Sequence, residues 1–280
     1  MKKYYTRACN FYYGSKSKLK IKKKLSLPLN GSNYISFDSI ELITRKSKRI
    51  VNINTIKNLP KKLKKKVILD LKNITKKKYF SKLNLNHAPL LMGILNITPD
   101  SFSDGGKFLK NYTANKQIIK LIKDGADIID IGGESTRPGS RVVNASQEWK
   151  RIKNKMKFLN KQKCFISLDT RKSSVIKKSL IYKVDLINDV SGLDYDKEII
   201  NILKKHNIPF VIHHIQGTPK TMQQNPKYSN VLLDIYDYFE KKLKLIKTNN
   251  IKHKNIILDP GIGFGKNLKH NITLISQISI

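Results

Sequence analysis

The sequence has few cysteines and no long apolar run. Its two cysteines, Cys9 and Cys164, lie far apart and in no CxxC pattern. This spacing argues against a disulfide framework and a structural zinc site, and it fits a reducing compartment such as the cytoplasm. No apolar segment follows the basic residues after Met1, and no run reaches the roughly 18 residues that a membrane helix needs. We therefore expect neither export nor a membrane span.

Acidic residues are also scarce. The chain has 20 Asp and Glu against 56 Lys and Arg, which gives a formal net charge of +36. Clustered lysines would suit a polyanion, because they release counterions from nucleic acid or an anionic membrane. Here the lysines are scattered through every segment, and the forked guanidinium groups that read bases are few. We predict no nucleic-acid and no membrane partner, and we keep a basic binding protein as a non-enzymatic alternative.

The pattern of apolar and charged residues changes near residue 88. Residues 1–87 are dense in lysine and weakly patterned, which predicts an N-terminal extension of uncertain fold. Over residues 88–280, apolar runs of strand length alternate with amphipathic stretches of helix length. The predicted strands are Leu90–Ile97, Asp127–Ile131, Phe165–Leu168, Leu186–Val190, Phe210–Ile215 and Asn255–Leu258. The predicted helices are Ala114–Lys123, Ser146–Leu159, Ser173–Ile181, Asp196–His206 and Ser229–Ile246.

Continuous apolar strands separated by helices require a parallel sheet that the helices cover. A doubly wound sheet would concentrate its ligand at one switch point, whereas a barrel gathers all its strand ends around one mouth. Polar side chains follow nearly every predicted strand, so we predict an α/β TIM barrel of which about six βα units are present. These side chains are Asn96, Asp130, Glu134, Asp169, Asn188, Asp189, His214, Gln216 and Asp259.

Two phrases at strand ends suit a phosphate-bearing ligand. In Met92–Gly106, the side-chain oxygen of Asn96 can hold Mg²⁺ beside a phosphate, although a hydrogen-bonded turn is the alternative. In Gly132–Gly139, Thr136 can donate to a diphosphate oxygen and Arg137 can neutralise its charge.

Asp169 and Asp259 follow apolar runs, where buried carboxylates need hydrogen-bond donors. A pterin would supply such donors from its amino group and ring N–H groups, with Asn188 completing the edge and Lys266 meeting a carbonyl or ring nitrogen. The alternative for Asp169 is to cap the helix that follows it.

His213 and His214 are adjacent on one predicted strand, so they point to opposite faces and cannot bind one metal together. We expect His214 to face the site with Gln216 and Gly217, and His213 to pack away from it. Cys164 precedes a strand and is expected in the core rather than as a nucleophile.

Several long phrases occur in the order found in dihydropteroate synthases, and the chain resembles that family from about residue 88 to residue 280. The N-terminal extension resembles only weakly an extension of some bacterial members. The phrases are Met92–Gly106, Asp127–Ser140, Ser167–Thr170, Ile187–Gly192, His214–Gly217 with Thr221–Gln223, and Leu258–Lys266.

The resemblance implies an enzyme that condenses 6-hydroxymethyl-7,8-dihydropterin pyrophosphate with 4-aminobenzoate to give 7,8-dihydropteroate and pyrophosphate. It implies an anion site formed by Asn96, Thr136 and Arg137, with Mg²⁺ held by Asn96 and the pyrophosphate. A homodimer is also implied. The implied pterin pocket contains Asp169, Asn188, Asp259, Phe264 and Lys266.

Two features depart from the family pattern. Ile215 stands where members usually have Met, a change of similar volume that we expect to be harmless. The sequence ends at Ile280, in the expected sixth helix, so we expect an open barrel without its seventh and eighth strands. An inactive truncated copy is therefore one alternative. Another pterin-binding barrel, such as a methyltetrahydrofolate methyltransferase, is a second.

Overall fold

A computed structural model describes residues 3–77, 80, 89–98, 111–135, 140, 142–218, 220–252 and 255–278, with backbone only at 111 and 112. The chain forms two compact units. Unit 1 comprises Met1–Lys78, Ser229–Tyr236 and Thr273–Ile280, and unit 2 comprises Tyr79–Tyr228 and Asp237–Ile272. The boundary predicted between residues 87 and 88 lies outside the described residues and stays a prediction.

Unit 1 contains an antiparallel sheet that the sequence did not predict. The central strand β3 pairs with β1 along one edge and with β2 and β4 along the other. Its elements in chain order are β1 (Tyr5–Tyr13), α1 (Gly14–Lys22), β2 (Leu27–Leu29), β3 (Ser32–Ile43), β4 (Lys48–Asn52), a 3-10 helix (Ile53–Asn58) and α2 (Lys61–Thr75).

Helix α2 supplies much of the core of unit 1. Its apolar residues Leu63, Val67, Leu71 and Ile74 recur every three or four positions, which places them on one helix face. They pack in the cluster that contains Phe37 of β3, while the lysines of the helix lie at other positions. The burial of this single apolar face accounts for a helix that is otherwise rich in charge.

Unit 2 contains a six-stranded parallel sheet in the order β10-β9-β8-β7-β6-β5. The predicted alternation of strands and helices is confirmed, with ends that differ by a few residues, and so is the α/β fold class. The strands are β5 (Met92–Asn96), β6 (Ile128–Gly132), β7 (Phe165–Asp169), β8 (Leu186–Asp189), β9 (Phe210–His213) and β10 (Ile256–Asp259). The helices are α3 (Asn111–Lys123), α4 (Ala145–Leu159), α5 (Ser173–Ser179), α6 (Glu198–His206), α7 (Val231–Thr248) and α8 (Leu268–Ser276), of which α7 and α8 also contribute residues to unit 1.

Alternate residues of these strands form two faces. Leu95, Ile131, Leu168, Ile187 and Ile212 lie on one face and are buried. Helix α3 contacts β5 and β6, and α4 contacts β6, as expected for helices that cover a parallel sheet. The other face carries the polar side chains described below.

No helix among the described residues has both the length and the apolar character needed to cross a membrane.

The cap of helix α4 gives a test of unit 2. Asn144 precedes the helix, and its side-chain oxygen accepts a hydrogen bond of 2.8 Å from the backbone N–H of Gln147. We expect Asn144→Ala to lower the free energy of unfolding by about 1 kcal/mol, and Asn144→Ser to lower it by only a few tenths. The single tryptophan, Trp149, lies in this helix, so its fluorescence in urea measures the change. Equal effects of both substitutions would contradict the capping role.

Candidate functional site

Strand pairing brings four predicted site residues to one face of the parallel sheet. Asn96 pairs with Gly132, Gly132 with Asp169, and Asp169 with Asn188. Paired residues of neighbouring parallel strands share a face, as do residues two apart on one strand. Asn188 pairs with Val211, two residues before His213, and His213 pairs with Asp259. The face at the carboxyl ends of the strands therefore carries Asn96, Asp169, Asn188, His213 and Asp259.

The first two of these side chains approach each other over Gly132. A Cβ atom added at Gly132 would lie 2.9 Å from Oδ2 of Asp169 and 3.3 Å from Oδ1 of Asn96. Any larger residue at this position would therefore crowd both oxygens. A bound cation or a hydrogen-bond donor of a ligand can reach the two oxygens from the same side.

Asp130 and Ser167 lie on the same face, one step deeper in the sheet, where they pair with each other. Asp130 is 5% exposed, and its Oδ2 accepts a hydrogen bond of 3.0 Å from Nδ2 of Asn188. Three buried oxygens of this face find no hydrogen-bond partner among the described residues: Oδ1 of Asp130, Oγ of Ser167 and Oδ1 of Asn188. Buried polar atoms without partners cost free energy, so they indicate a place where a ligand or water completes the hydrogen bonding.

The carboxyl groups of Asp130 and Asp169 hold protons more tightly than ordinary aspartates do. Burial raises the pKa of Asp130, although the hydrogen bond from Asn188 acts in the opposite direction. Burial, followed by the negative charge of Asp130, raises the pKa of Asp169 well above its usual range. Donors that reach Asp169 would stabilise its charged form and lower this pKa. The site therefore favours a ligand rich in N–H groups.

Asp169 does not cap the following helix. The residue that precedes α5 is Lys172, whose side chain makes no capping bond. The backbone N–H of Ser173 donates instead to Oδ2 of Asp196 at 2.8 Å. The capping alternative is therefore wrong, and Asp169 lies on the face of the sheet that carries the site.

The loop after β10 forms one end of the site. Oδ1 of Asp259 accepts a hydrogen bond of 2.8 Å from the N–H of Gly261. Gly261 has a φ of +68°, and a Cβ there would collide with the carbonyl of His214, so glycine is required at this turn. The turn places Phe264 edge-on against His213, with 4.7 Å between the ring centroids.

Lys266 is buried and bonded within the protein. Its Nζ lies 2.8 Å from the carbonyl of Phe264, 3.1 Å from Nδ1 of His214 and 3.3 Å from the His214 carbonyl. Burial lowers the pKa of Lys266 to about 8, although the charge of Asp259 raises it. The ammonium group ties the loop after β10 to the end of β9. The predicted contact of Lys266 with a pterin would require one of these bonds to open, and it stays a prediction.

The expectation for the two histidines is wrong. His213 shares the site face with Asp259, whereas the ring of His214 packs edge-on against Tyr238 of α7, 4.8 Å away. Nδ1 of His213 lies 3.0 Å from the Val190 carbonyl, and burial is the main cause that lowers the pKa of its imidazole. Gln216 makes two 2.9 Å hydrogen bonds to the backbone of Lys227, so it holds a loop. Cys164 is buried, as expected, and burial raises the pKa of its thiol.

Thr136 and Arg137 lie outside the described residues. Glu134 accepts hydrogen bonds from Arg171 at 3.0 and 3.2 Å and from the backbone N–H of Val143 at 3.0 Å. The carboxylate of Glu134 therefore joins a residue that precedes Thr136 and Arg137 in the chain to one that follows them.

Lys172 extends this network below the surface. Its Nζ bonds to Glu134 and to Glu148, at 2.6 Å in each case. Glu148 is fully buried and also accepts a 2.5 Å hydrogen bond from Thr170, the residue after Asp169. The network thus links the end of β6 to the end of β7.

No group of three or more His, Cys, Asp or Glu in the described part of the chain could hold a metal ion. The oxygens of Asn96 and Asp169 over Gly132 nevertheless fit Mg²⁺, which prefers oxygen ligands and commonly keeps water and phosphate oxygens in its shell.

Comparison with known families agrees with this geometry. Residues 92–280 match the family described as pterin binding enzyme. The chain belongs to this family. A dihydropteroate synthase of Synechocystis sp. is 40% identical over 189 residues, which cover 67% of this chain and 65% of the relative.

Solved structures of family members agree as well. The Yersinia pestis dihydropteroate synthase, in complex with a sulfonamide drug, has a TM-score of 0.65, 38% identity, and 70% coverage of both chains. The Anaplasma phagocytophilum enzyme, with bound 6-hydroxymethylpterin-monophosphate, has a TM-score of 0.60 and 34% identity over 68% of this chain and 73% of that one. The matched part of this chain spans about two thirds of the length of the Synechocystis relative.

For a pterin binding enzyme, the sequence interpretation missed three residues on the site face. Asp130 was noted at a strand end without a role, Ser167 was not considered as a site residue, and His213 was assigned to the wrong face. The signal was available in the two-residue period of a strand: Asp130 precedes Gly132 by two positions, and Ser167 precedes Asp169 by two.

The buried network below the site can be tested through Lys172. Lys172→Met removes a cation from between Glu134 and fully buried Glu148, so we expect the free energy of unfolding to fall by about 3–5 kcal/mol. Lys177→Met is the matched control, since its pair with Glu198 is about half exposed and should change the free energy of unfolding much less. Urea unfolding followed by the fluorescence of Trp149 compares the two. A small effect at Lys172 would mean that the network contributes little to stability.

Proposed function

We propose that the chain acts as a dihydropteroate synthase. The observation that carries this proposal is the row of acceptors Asp169, Asn188 and Asp259 on one face of the sheet. Buried oxygens of Asp130, Ser167 and Asn188 on the same face find no hydrogen-bond partner among the described residues. Membership of the pterin binding enzymes and similarity to dihydropteroate synthases support it.

The proposed substrates are 6-hydroxymethyl-7,8-dihydropterin pyrophosphate and 4-aminobenzoate. The pterin presents an amino group and ring N–H groups, which match the carboxylates of Asp169 and Asp259 and the amide oxygen of Asn188. Phe264 and His213 would flank the ring. The bound 6-hydroxymethylpterin-monophosphate of the Anaplasma relative supports a phosphorylated pterin as the ligand class.

In the proposed reaction, the C–O bond between the pterin methylene carbon and the pyrophosphate breaks, and pyrophosphate leaves with the electron pair. The amine nitrogen of 4-aminobenzoate then bonds to that carbon and loses a proton. The acceptor row would hold the pterin and help its electron-rich ring tolerate the developing cation. Thr136 and Arg137 are proposed to bind the pyrophosphate, and Lys266 to brace the loop that carries Phe264.

We also propose that the reaction uses Mg²⁺, with Asn96 as a protein ligand. When bound to the pyrophosphate, Mg²⁺ would neutralise the charge that the leaving group gains. The oxygens of Asn96 and Asp169 over Gly132 support this placement.

A cytoplasmic location and a homodimer complete the proposal. The two free cysteines, Cys9 and Cys164, support a reducing compartment. Among the enzymatic alternatives, the similar relatives support the synthase over a methyltetrahydrofolate methyltransferase.

Release of pyrophosphate tests the activity. The chain is incubated with the pterin pyrophosphate, 4-aminobenzoate and Mg²⁺, and the product is measured against an incubation without 4-aminobenzoate. We expect Asp169→Asn to lower kcat/KM by roughly 10- to 100-fold, because a charged acceptor of the pterin is lost. Asp196→Asn is the control, since Asp196 accepts its hydrogen bond from the backbone at the start of α5 and is not part of the acceptor row. Absence of pyrophosphate release, or equal effects of the two substitutions, would count against the proposal.

The affinity for 6-hydroxymethylpterin should depend on pH through Asp169. The ionised carboxylate accepts the pterin N–H groups, and protonation replaces an acceptor with a donor. Because the pKa of Asp169 is raised, its carboxylate takes up a proton at a higher pH than an ordinary aspartate, whose pKa is about 3.9. The affinity for the pterin should therefore begin to fall at a correspondingly higher pH as the pH decreases. Fluorescence titrations from pH 8 to about pH 4.5 measure this, with Asp169→Asn as the control expected to lose most of the dependence. A dissociation constant for the parent that is constant over the range would contradict the role.

A further inference from the structure

Asp130 is not among the residues that the proposed function assigns to the pterin, yet it is buried directly beside one of them. It lies two residues before Gly132 on β6, on the site face, and it is 5% exposed. Its Oδ2 accepts the hydrogen bond from Nδ2 of Asn188 at 3.0 Å. This hydrogen bond crosses strand β7, which lies between β6 and β8.

The contact decides which end of the Asn188 amide faces the ligand. An ionised carboxylate accepts hydrogen bonds and donates none, so the NH₂ end of the amide must point to Asp130. The other end, Oδ1, is buried and has no hydrogen-bond partner in the described part of the chain. Without Asp130, nothing in this contact would distinguish the two ends of the amide.

We propose that Asp130 is a positioning residue that fixes the side chain of Asn188 with its oxygen toward the pterin. This inference rests on the proposed function and adds the reason for the direction of one hydrogen bond. With Asn188 held in this way, Asp169, Asn188 and Asp259 all present acceptors, which complements an edge made of N–H donors. With the amide reversed, its NH₂ would face the pterin N–H groups, which is unfavourable for binding.

Binding of 6-hydroxymethylpterin to the full chain, measured by fluorescence titration, tests the coupling. We expect Asp130→Leu and Asn188→Leu each to weaken binding about tenfold, the loss expected for one buried hydrogen bond. The double variant should bind no more weakly than Asn188→Leu alone, because Asp130 acts through Asn188. Independent effects, which would give about a hundredfold loss in the double variant, would overturn the proposal.

An exchange of the two residues gives a second test that preserves the polar composition of the site. In Asp130→Asn combined with Asn188→Asp, the new amide donates to the new carboxylate, whose other oxygen still faces the ligand. We expect affinity within about threefold of the parent, since the hydrogen bond is kept with its direction reversed. A loss of tenfold or more in this folded variant would overturn the inference. The exchange decides the question even if Asp130→Leu fails to fold.

Ile129→Val is the matched control. Ile129 directly precedes Asp130 on β6 and is fully buried, but its side chain lies on the opposite, aliphatic face of the sheet. We expect its affinity to equal that of the parent within about twofold, and a tenfold loss would mean that any change near Asp130 disturbs the site. A folded parent that binds no 6-hydroxymethylpterin would refute the proposed function itself. Normal binding by the parent together with normal binding by Asp130→Leu would refute only the role of Asp130.

Discussion

The pairing register of six parallel strands is the constraint on which the site depends. It aligns Asn96, Gly132, Asp169 and Asn188 across four strands, and it aligns His213 with Asp259 across two more. A slip of one residue in any pair would turn a polar side chain toward the helices and an isoleucine or leucine toward the ligand. The buried aliphatic face fixes this register, so the same hydrophobic packing that stabilises the sheet also positions the acceptors.

The acceptor face is costly to the folded chain in the absence of a ligand. Asp130 is close enough to Asp169 for its charge to raise the pKa of Asp169, and three buried oxygens of this face, on Asp130, Ser167 and Asn188, find no hydrogen-bond partner among the described residues. Stability alone would favour apolar residues at such positions. Their presence is understandable if a ligand with N–H donors completes the hydrogen bonding. The ion network of Glu134, Lys172 and Glu148, by contrast, is fully paired and holds the strand ends beside the site.

Much of unit 2 could be predicted from the sequence, because apolar runs, intervening amphipathic stretches and polar strand ends all indicate one parallel fold. The sheet of unit 1 was missed because its longer strands, β1 and β3, do not alternate strictly between apolar and polar residues, although the spacing of Leu63, Val67, Leu71 and Ile74 in α2 is helical. The two histidines were assigned to the wrong faces because the sequence of a short strand does not tell which of its residues face the site. The pairing of His213 with Asp259 shows that His213 does. The role of Asp130 depends on a contact across an intervening strand, which no local pattern reveals.

A crystal structure of the chain with 6-hydroxymethylpterin tests the central claim most directly. The claim predicts that the amino and N–H edge of the pterin lies within hydrogen-bond distance of Asp169, Asn188 and Asp259, with Oδ1 of Asn188 facing the ligand. A pterin bound elsewhere, or bound with its carbonyl oxygen against these three side chains, would contradict it.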